Sequence, residues 1–189
     1  MNSWTWGSDA WHIFHVTALR GQVHDLQAIL RCAPQSLPCC HCRDSVREYF
    51  AEHPFVADDH DALSSFDYTW RFHNFVNAKI GARSVPFECA IKKWSILKDD
   101  MATLVGCCAR FLMIVGTNVE RRAAEAAESA SVELDQAKED VLKGLACLQD
   151  AVEAMLGPDW KSCMYEWTID TDAFGKAHAA SCKEGTICM

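Results

Sequence analysis

The chain has 189 residues, of which 50% are apolar and 23% charged, and its formal net charge is −8. These proportions are typical of a folded globular protein and exclude a disordered or fibrous chain. The acidic balance argues against nucleic acid as a partner, because phosphate binding requires clustered lysine and arginine side chains.

Eleven cysteines make up about 6% of the chain, below the roughly 8–10% of small disulfide scaffolds. Their odd number means that at least one thiol is unpaired or pairs with another chain. The stretch from Met1 to Ala18 lacks the basic start and apolar run of a secretory signal, so none is expected. The apolar stretch from Ala102 to Gly116 contains Arg110 and is shorter than a membrane span of about twenty residues. We therefore predict a buried helix there and no membrane span.

Apolar residues recur at helical spacing through the first half of the chain, whereas period-two strand patterns are almost absent. An all-α fold is predicted. The expected segments are a helix over 8–19, a second stretch on to 30, a break over 34–38, a helix from about 39 to before 54, an acidic loop over 58–61, a helix from 66 to 80 that stops at Gly81, and a short helix over 86–94.

The second half predicts one long amphipathic helix from Asn118 to Met155, because the apolar residues from Leu134 onward follow steps of three and four. Gly157 and Pro158 end it. Its polar side is interpreted as a solvated outer face, and a coiled-coil seam to a second subunit is the alternative. The final residues, 170–189, have little periodicity and are expected to be mobile.

The densest chemical motif is the sequence P-C-C-H-C over 38–42, in which Cys39 and Cys42 form a C-x-x-C pair at a predicted helix start. Unsatisfied N–H groups and the helix dipole lower the pKa of a cysteine there and favour redox activity. A zinc site and a thioredoxin-type dithiol are alternatives. The zinc site lacks a second pair at suitable spacing, because Cys107 and Cys108 are adjacent, and the thioredoxin pattern lacks its βαβ context.

Two further motifs place polar and aromatic residues on helices. His73 and Asn77 share one helix face at a spacing of four residues, and Lys79 follows. Trp11 and His15 do the same on the first helix. A lone histidine or tryptophan on an apolar helix face is more often a core residue than a ligand, but three helices that each contribute such groups favour one shared site.

Taken together, these motifs resemble the FAD-linked sulfhydryl oxidases related to augmenter of liver regeneration and the Erv-type enzymes of eukaryotes and large DNA viruses. The resemblance covers about Trp4 to Trp94. It rests on Trp-Gly-x-x-x-Trp-x-x-x-His, Pro-Cys-x-x-Cys, His53-Pro54, His-Asn-x-Val-Asn and Phe-Glu-Cys ahead of Trp94. It implies a compact FAD-binding bundle of four helices and a short fifth over 1–95. A helical extension over 96–160 and a flexible, cysteine-containing tail over 161–189 would follow.

The resemblance implies a flavin-dependent thiol oxidase that forms disulfides in protein dithiols, with FAD as cofactor, no metal, and oxygen reduced to hydrogen peroxide. Cys42 would lie beside the flavin, and Cys39 would exchange with the substrate. The implied cofactor-binding residues are Gly7, Ser8, Trp11, His15, His73, Asn74, Val76, Asn77, Lys79 and Trp94. A homodimer is also implied. Its compartment would be the host cytoplasm or virion if the protein is viral, and the mitochondrial intermembrane space otherwise.

Several positions depart from the family pattern. Leu37 and Ser8 replace the usual Tyr and Arg. Trp70 stands where the better-known members carry a cysteine that is bonded to the equivalent of Cys89, so Cys89 is expected to be free or to pair elsewhere, for instance with Cys107 or Cys108.

The remaining cysteines leave other questions open. Cys182 and Cys188 are a candidate shuttle disulfide that would relay electrons to the C-x-x-C pair. The sequence does not assign partners to Cys32, Cys40, Cys147 or Cys163. The rival to the enzyme is a helical assembly protein whose Cys/His cluster holds zinc without turnover.

Overall fold

The computed structural model describes residues 6–128 and 132–157, and every regular element in these ranges is helical. The all-α prediction is therefore confirmed. The elements are α1 (Gly7–Leu19), α2 (Val23–Ser36), α3 (Cys40–Glu52), a 3-10 turn (Ala57–Asp59), α4 (Ala62–Lys79), α5 (Phe87–Leu97), α6 (Met101–Glu128) and α7 (Val132–Leu156).

Helix α1 forms the centre of the bundle. It contacts α2, α4, α5 and α6, and its side chains from Ala10 to Ala18 are buried apart from the half-exposed Trp11. A helix that is apolar around most of its circumference must be covered by neighbours on several sides. This central position allows α1 to share a site with both α4 and α5.

Two helix ends show how proline and glycine act here. The predicted break begins too early, because α2 continues through Pro34 to Ser36. Pro34 lies in the last turns of α2, where it removes one backbone hydrogen bond without ending the helix. The helix ends because Leu37, which precedes Pro38, is extended. Helix α4 stops where predicted, and Gly81 follows it with a φ of 69°, a conformation that favours glycine.

The long helix predicted from Asn118 to Met155 is wrong. Its first part continues α6, which begins at Met101, and its second part is the separate helix α7. The apolar run from 102 to 116 and the Ala/Glu-rich segment after it are both compatible with one helix, so composition marks no boundary between them. The 18 residues from Met101 to Asn118 have a mean hydropathy of 1.4, enough by length and composition to cross a membrane. They are 61% buried inside the fold, as expected for a core helix.

Helix α7 lies against α2 within the same chain. Leu148 and Val152 are at most 1% exposed, and at Gly144 the helices are so close that a Cβ would lie 2.8 Å from the Gln35 Cβ. A disulfide between Cys32 and Cys147 joins the two helices. The apolar residues Leu148, Val152 and Met155 of α7 are therefore covered within the chain, so the homodimer that the resemblance implies would not use them.

Helix α6 is joined to α1 by an ion pair. The Arg110 guanidinium donates to both carboxylate oxygens of Asp9, at 3.1 Å and 2.7 Å. The Asp9 side chain is only 9% exposed, and breaking such a partly buried pair leaves an uncompensated charge. Helices α6 and α7 thus share one core with the first five helices.

Candidate functional site

A directed chain of hydrogen bonds joins α1 to α4. The Thr69 hydroxyl donates to the Phe66 carbonyl at 3.0 Å, so its oxygen accepts from His15 Nδ1 at 2.9 Å. His15 Nε2 then accepts from His73 Nδ1 at 3.0 Å. These directions assign the neutral tautomer of each imidazole and make His73 Nε2 an acceptor.

Two tryptophans flank these histidines. The Trp11 indole is stacked on the His73 ring, with 3.9 Å between centroids and 7° between planes. The Trp94 ring of α5 lies 4.9 Å from the His15 ring. The structure therefore brings together four predicted site residues from three helices, which we call the His/Trp cluster: Trp11, His15, His73 and Trp94.

Burial keeps the histidines of this cluster neutral. It lowers the pKa of His73 to about 4, helped by the positive charge of Lys93. Burial also holds the pKa of His15 well below its usual value, with smaller contributions from His73 and Lys93. Neutral imidazoles offer both a donor and an acceptor at near-neutral pH.

This burial predicts acid sensitivity. The pKa of His73 is about 4 in the folded protein, whereas in the unfolded chain it has its ordinary value of 6.5. The unfolded chain therefore takes up the proton first, and stability that is complete above pH 6.5 is lost as the pH falls toward 4. We expect His73→Asn to reduce this loss by about 2 kcal/mol, measured from urea unfolding at both ends of that range. His24→Asn, at the exposed His24, is the control for the substitution itself. An identical acid loss in His73→Asn and the natural protein would contradict the prediction.

Two residues that the sequence did not single out also belong beside the cluster. His12 is 6% exposed, its ring meets the Trp94 ring edge at 5.3 Å, and its Nε2 has no hydrogen-bond partner among the described residues. Lys93 Nζ lies 4.6 Å from the Trp94 ring centroid. The sequence offered one indication of His12, its spacing of three residues from His15 on the same helix. Buried core residues of a helix show the same spacing, so it did not mark His12 as part of a site.

Asn74 and Asn77 hold the connection between α4 and α5. The Asn74 amide donates to the Val85 carbonyl at 3.0 Å and accepts from the Val85 N–H at 2.9 Å. The Asn77 amide donates to the Arg83 carbonyl at 3.4 Å. These contacts fix the loop that leads into α5 and so position Trp94. Whether these asparagines also contact the cofactor stays a prediction.

Trp70 fastens the same connection, at the position where the resemblance places a cysteine. Its Nε1 donates to the Val85 carbonyl at 2.7 Å, and its ring meets the Phe87 ring at 5.3 Å. Cys89 is exposed and has no disulfide partner in the part of the chain that the structure describes. An indole thus links α4 to α5 where a disulfide was implied, and Cys89 does not pair with Cys107 or Cys108.

The other predicted cofactor residues are dispersed around the cluster. Lys79 forms an ion pair with Glu48 on α3 and lies over the Phe75 ring at 4.9 Å, so its ammonium faces α3. Gly7 and Ser8 form the first turn of α1. Val76 is partly buried against the core.

The cysteine pair begins α3. Cys39 is the N-cap residue, and its Sγ accepts the backbone N–H of Cys42 at 3.4 Å. This contact places sulfur at the positive end of the helix dipole, where a thiolate is stabilised. Cys39 is 4% exposed, whereas Cys42 is half-buried.

Cys42 lies on the face of α3 that meets α4. It shares a helical stripe with Val46 and Tyr49, which follow four and seven residues later. The Tyr49 ring lies 4.9 Å from that of Phe72 and 5.1 Å from that of Phe75 on α4. The pair and the His/Trp cluster therefore both adjoin α4.

The remaining described cysteines differ in their surroundings. Cys40 is exposed. Burial raises the pKa of Cys107 to about 12 and that of Cys108 further, so both are unreactive thiols near neutral pH. The candidate shuttle pair, Cys182 and Cys188, and also Cys163, lie outside the described residues. Within residues 6–128 and 132–157, no group of three or more His, Cys, Asp or Glu side chains is arranged to hold a metal ion.

The fold and the site together define a class of protein, a small helical bundle with a cysteine pair at a helix start and a His/Trp cluster on adjoining helices. A family model described as Erv1 / Alr family matches residues 8–100. By this segment, just under half of the chain, the protein resembles the Erv1/Alr family.

A curated relative extends this comparison. The protein of Invertebrate iridescent virus 6 that is named "Putative FAD-linked sulfhydryl oxidase 347L" is 28% identical over 103 residues, which cover 47% of this chain and 91% of the relative. No solved structure matches the chain.

Proposed function

We propose that this protein is an FAD-dependent thiol oxidase that forms disulfides in protein dithiols and passes the electrons through Cys39 and Cys42 to FAD and then to oxygen, which becomes hydrogen peroxide. The observation that carries the proposal is the Cys39 sulfur at the start of α3, bonded to the Cys42 N–H. The match to the Erv1/Alr family model and the name of the viral relative support FAD and thiol oxidation. The implied homodimer remains part of the proposal.

The chemistry of the donor set fits FAD. Trp11, His73 and Trp94 offer ring surfaces for flat heterocycles, and the neutral imidazoles suit ribose hydroxyls. The buried Nε2 of His12 lacks a partner among the described residues, as expected of a polar atom that is satisfied by a ligand. The positive charge of Lys93 acts on His12, His15 and His73 and suits a pyrophosphate.

The cysteine pair performs the exchange with the substrate. A substrate thiolate attacks Cys39 Sγ of the Cys39–Cys42 disulfide, forms a mixed disulfide and releases Cys42 as a thiolate. The second substrate thiol then attacks the substrate sulfur of the mixed disulfide and releases Cys39. The substrate loses two electrons and two protons, and the pair gains them. FAD, held by the His/Trp cluster, would supply the two-electron acceptor for the reduced pair and the reaction with oxygen.

The exposure of the two cysteine sulfurs bears on which of them the substrate attacks first. Cys39 is the more deeply buried of the two, so the attack described above requires that Cys39 become accessible when the substrate binds. Cys42 is more accessible as it stands, and its stripe faces α4. A mixed disulfide trapped on one of the two cysteines would decide their order.

Purified protein tests the proposal as a whole. We expect a yellow protein with flavin bound at one per chain, which consumes oxygen and produces hydrogen peroxide when a dithiol is added. The rival is a zinc-holding assembly protein. A colourless preparation with stoichiometric zinc and no dithiol-dependent oxygen uptake would overturn the oxidase and favour that rival.

A further inference from the structure

The segment that leads into the cysteine pair is held from two sides. Arg43 Nη1 donates to the Leu37 carbonyl at 2.6 Å and to the Pro38 carbonyl at 3.3 Å. From α6, Asn118 Nδ2 donates to the same Pro38 carbonyl at 3.1 Å, in a buried contact. The peptide group immediately before Cys39 is therefore fixed by side chains of α3 and α6.

The Arg43 guanidinium also brings a positive charge to the pair. It is partly buried, and the loss of hydration lowers the pKa of Arg43, while the nearby Cys40 and Cys39 act in the opposite direction. The other charged groups that act on it are Arg47 and Asp44 on the same helix, and the group that faces Pro38 from α6 is the neutral amide of Asn118. A cation close to a cysteine lowers the pKa of its thiol.

Arg47 provides a matched comparison one turn further along α3. Its Nη2 donates to the Pro34 carbonyl at the end of α2, at 2.8 Å, and its Nη1 is paired with Asp44. It therefore makes the same kind of backbone contact as Arg43, but its charge is compensated by a carboxylate and lies farther along the helix from Cys39. A role in fixing the end of α2 would be common to both arginines, whereas an effect on the Cys39 sulfur would belong to Arg43.

We propose that Arg43 is a positioning residue that sets the oxidising strength of the cysteine pair. Its two carbonyl contacts hold Cys39 at the start of α3, and its charge stabilises the Cys39 thiolate that is released when the disulfide is reduced. Stabilising the reduced form makes the Cys39–Cys42 disulfide a stronger oxidant. This inference rests on the proposed redox function of the pair.

Equilibration with glutathione measures this strength without turnover. Two glutathione thiols reduce the Cys39–Cys42 disulfide to two thiols and become one glutathione disulfide, so two electrons move. The full-length protein is equilibrated without oxygen at several glutathione ratios and pH values, quenched with acid, and the fraction of Cys39–Cys42 disulfide is read by mass spectrometry. Thermal melting of each variant confirms that it is folded.

Arg43→Gln is expected to change the equilibrium constant about tenfold toward the disulfide, a potential lower by about 30 mV, and to raise the pKa seen in the pH profile of Cys39 alkylation. Arg47→Gln and Arg43→Lys should change the constant less than about threefold, because the charge near Cys39 remains. Arg43→Met takes the place of Arg43→Gln if that variant does not fold.

The outcomes separate the two proposals. The role of Arg43 is overturned, while the redox function stands, if the equilibrium constant is unchanged in Arg43→Gln. The same holds if Arg47→Gln changes the constant equally or if Arg43→Lys changes it tenfold. A pair that does not exchange with glutathione at all in the natural protein overturns the redox function itself.

Discussion

Replacing either cysteine of the pair is expected to abolish thiol oxidation while FAD stays bound. In Cys39→Ser and Cys42→Ser, no disulfide can form between positions 39 and 42, so the substrate has no electron acceptor within reach. Oxygen uptake with a dithiol should fall by more than about a hundredfold. The flavin content of each variant, read from its visible absorbance, should remain at the natural level, because the rings and donors of the His/Trp cluster lie on α1, α4 and α5.

Cys40→Ser is the matched control, since Cys40 lies between the two and is exposed. It should retain most of the activity. If Cys39→Ser and Cys42→Ser both oxidise dithiols at the natural rate, the proposed path through the pair is wrong.

The same variants decide which sulfur meets the substrate. In the proposed order, the lone Cys39 thiolate of Cys42→Ser attacks the disulfide of an oxidised substrate, so one substrate sulfur forms a mixed disulfide with Cys39 and the other leaves as a thiolate. No second cysteine of the pair can then resolve this adduct. Mass spectrometry should find this adduct on Cys39. An adduct that forms only on Cys42, in Cys39→Ser, would reverse the order and agree with the greater exposure of Cys42.

The second large effect is expected from the disulfide between α2 and α7. Cys32 and Cys147 are separated by 115 residues, so the bond restricts a long loop of the unfolded chain. Cys147→Ser should lower the free energy of unfolding by about 2–5 kcal/mol and the melting temperature by about 5–15 °C. Thermal unfolding followed by circular dichroism measures this.

Cys89→Ser is the control for this prediction, because Cys89 is exposed and has no disulfide partner among the described residues. The melting temperature of Cys89→Ser should be close to that of the natural protein. Adding a reductant should lower the melting temperature of the natural protein toward that of Cys147→Ser and should not change Cys147→Ser itself. The prediction would be contradicted if Cys147→Ser and the natural protein had the same melting temperature under non-reducing conditions.

Local sequence patterns were sufficient to predict most of the helices and much of the His/Trp cluster. The helical spacing of Trp11 with His15 and of His73 with Asn77 depends only on neighbours along the chain, and the structure unites Trp11, His15 and His73 as expected. The resemblance added Trp94, which joins the same cluster. These residues could be found because each lies in a motif with a fixed spacing.

Contacts between distant segments could not be read in the same way. The pairing of Cys32 with Cys147 was one of many connectivities that eleven cysteines allow. The ion pair of Lys79 with Glu48 on α3 is likewise a contact that no local pattern indicates. His12 resembled a core histidine because its role depends on Trp94, a residue of another helix.

The anchoring of α6 and α7 has a consequence for the size of the smallest working unit. The segment that matches the family model ends at residue 100, yet Phe111, Ile114 and Leu148 from beyond it are buried in the same core as side chains of α1 and α2. Cutting the chain at that boundary would expose this surface to water, remove the partner of Asp9 and release the Pro38 carbonyl from Asn118. We therefore expect the smallest stably folded unit of this chain to be longer than the segment that matches the family model.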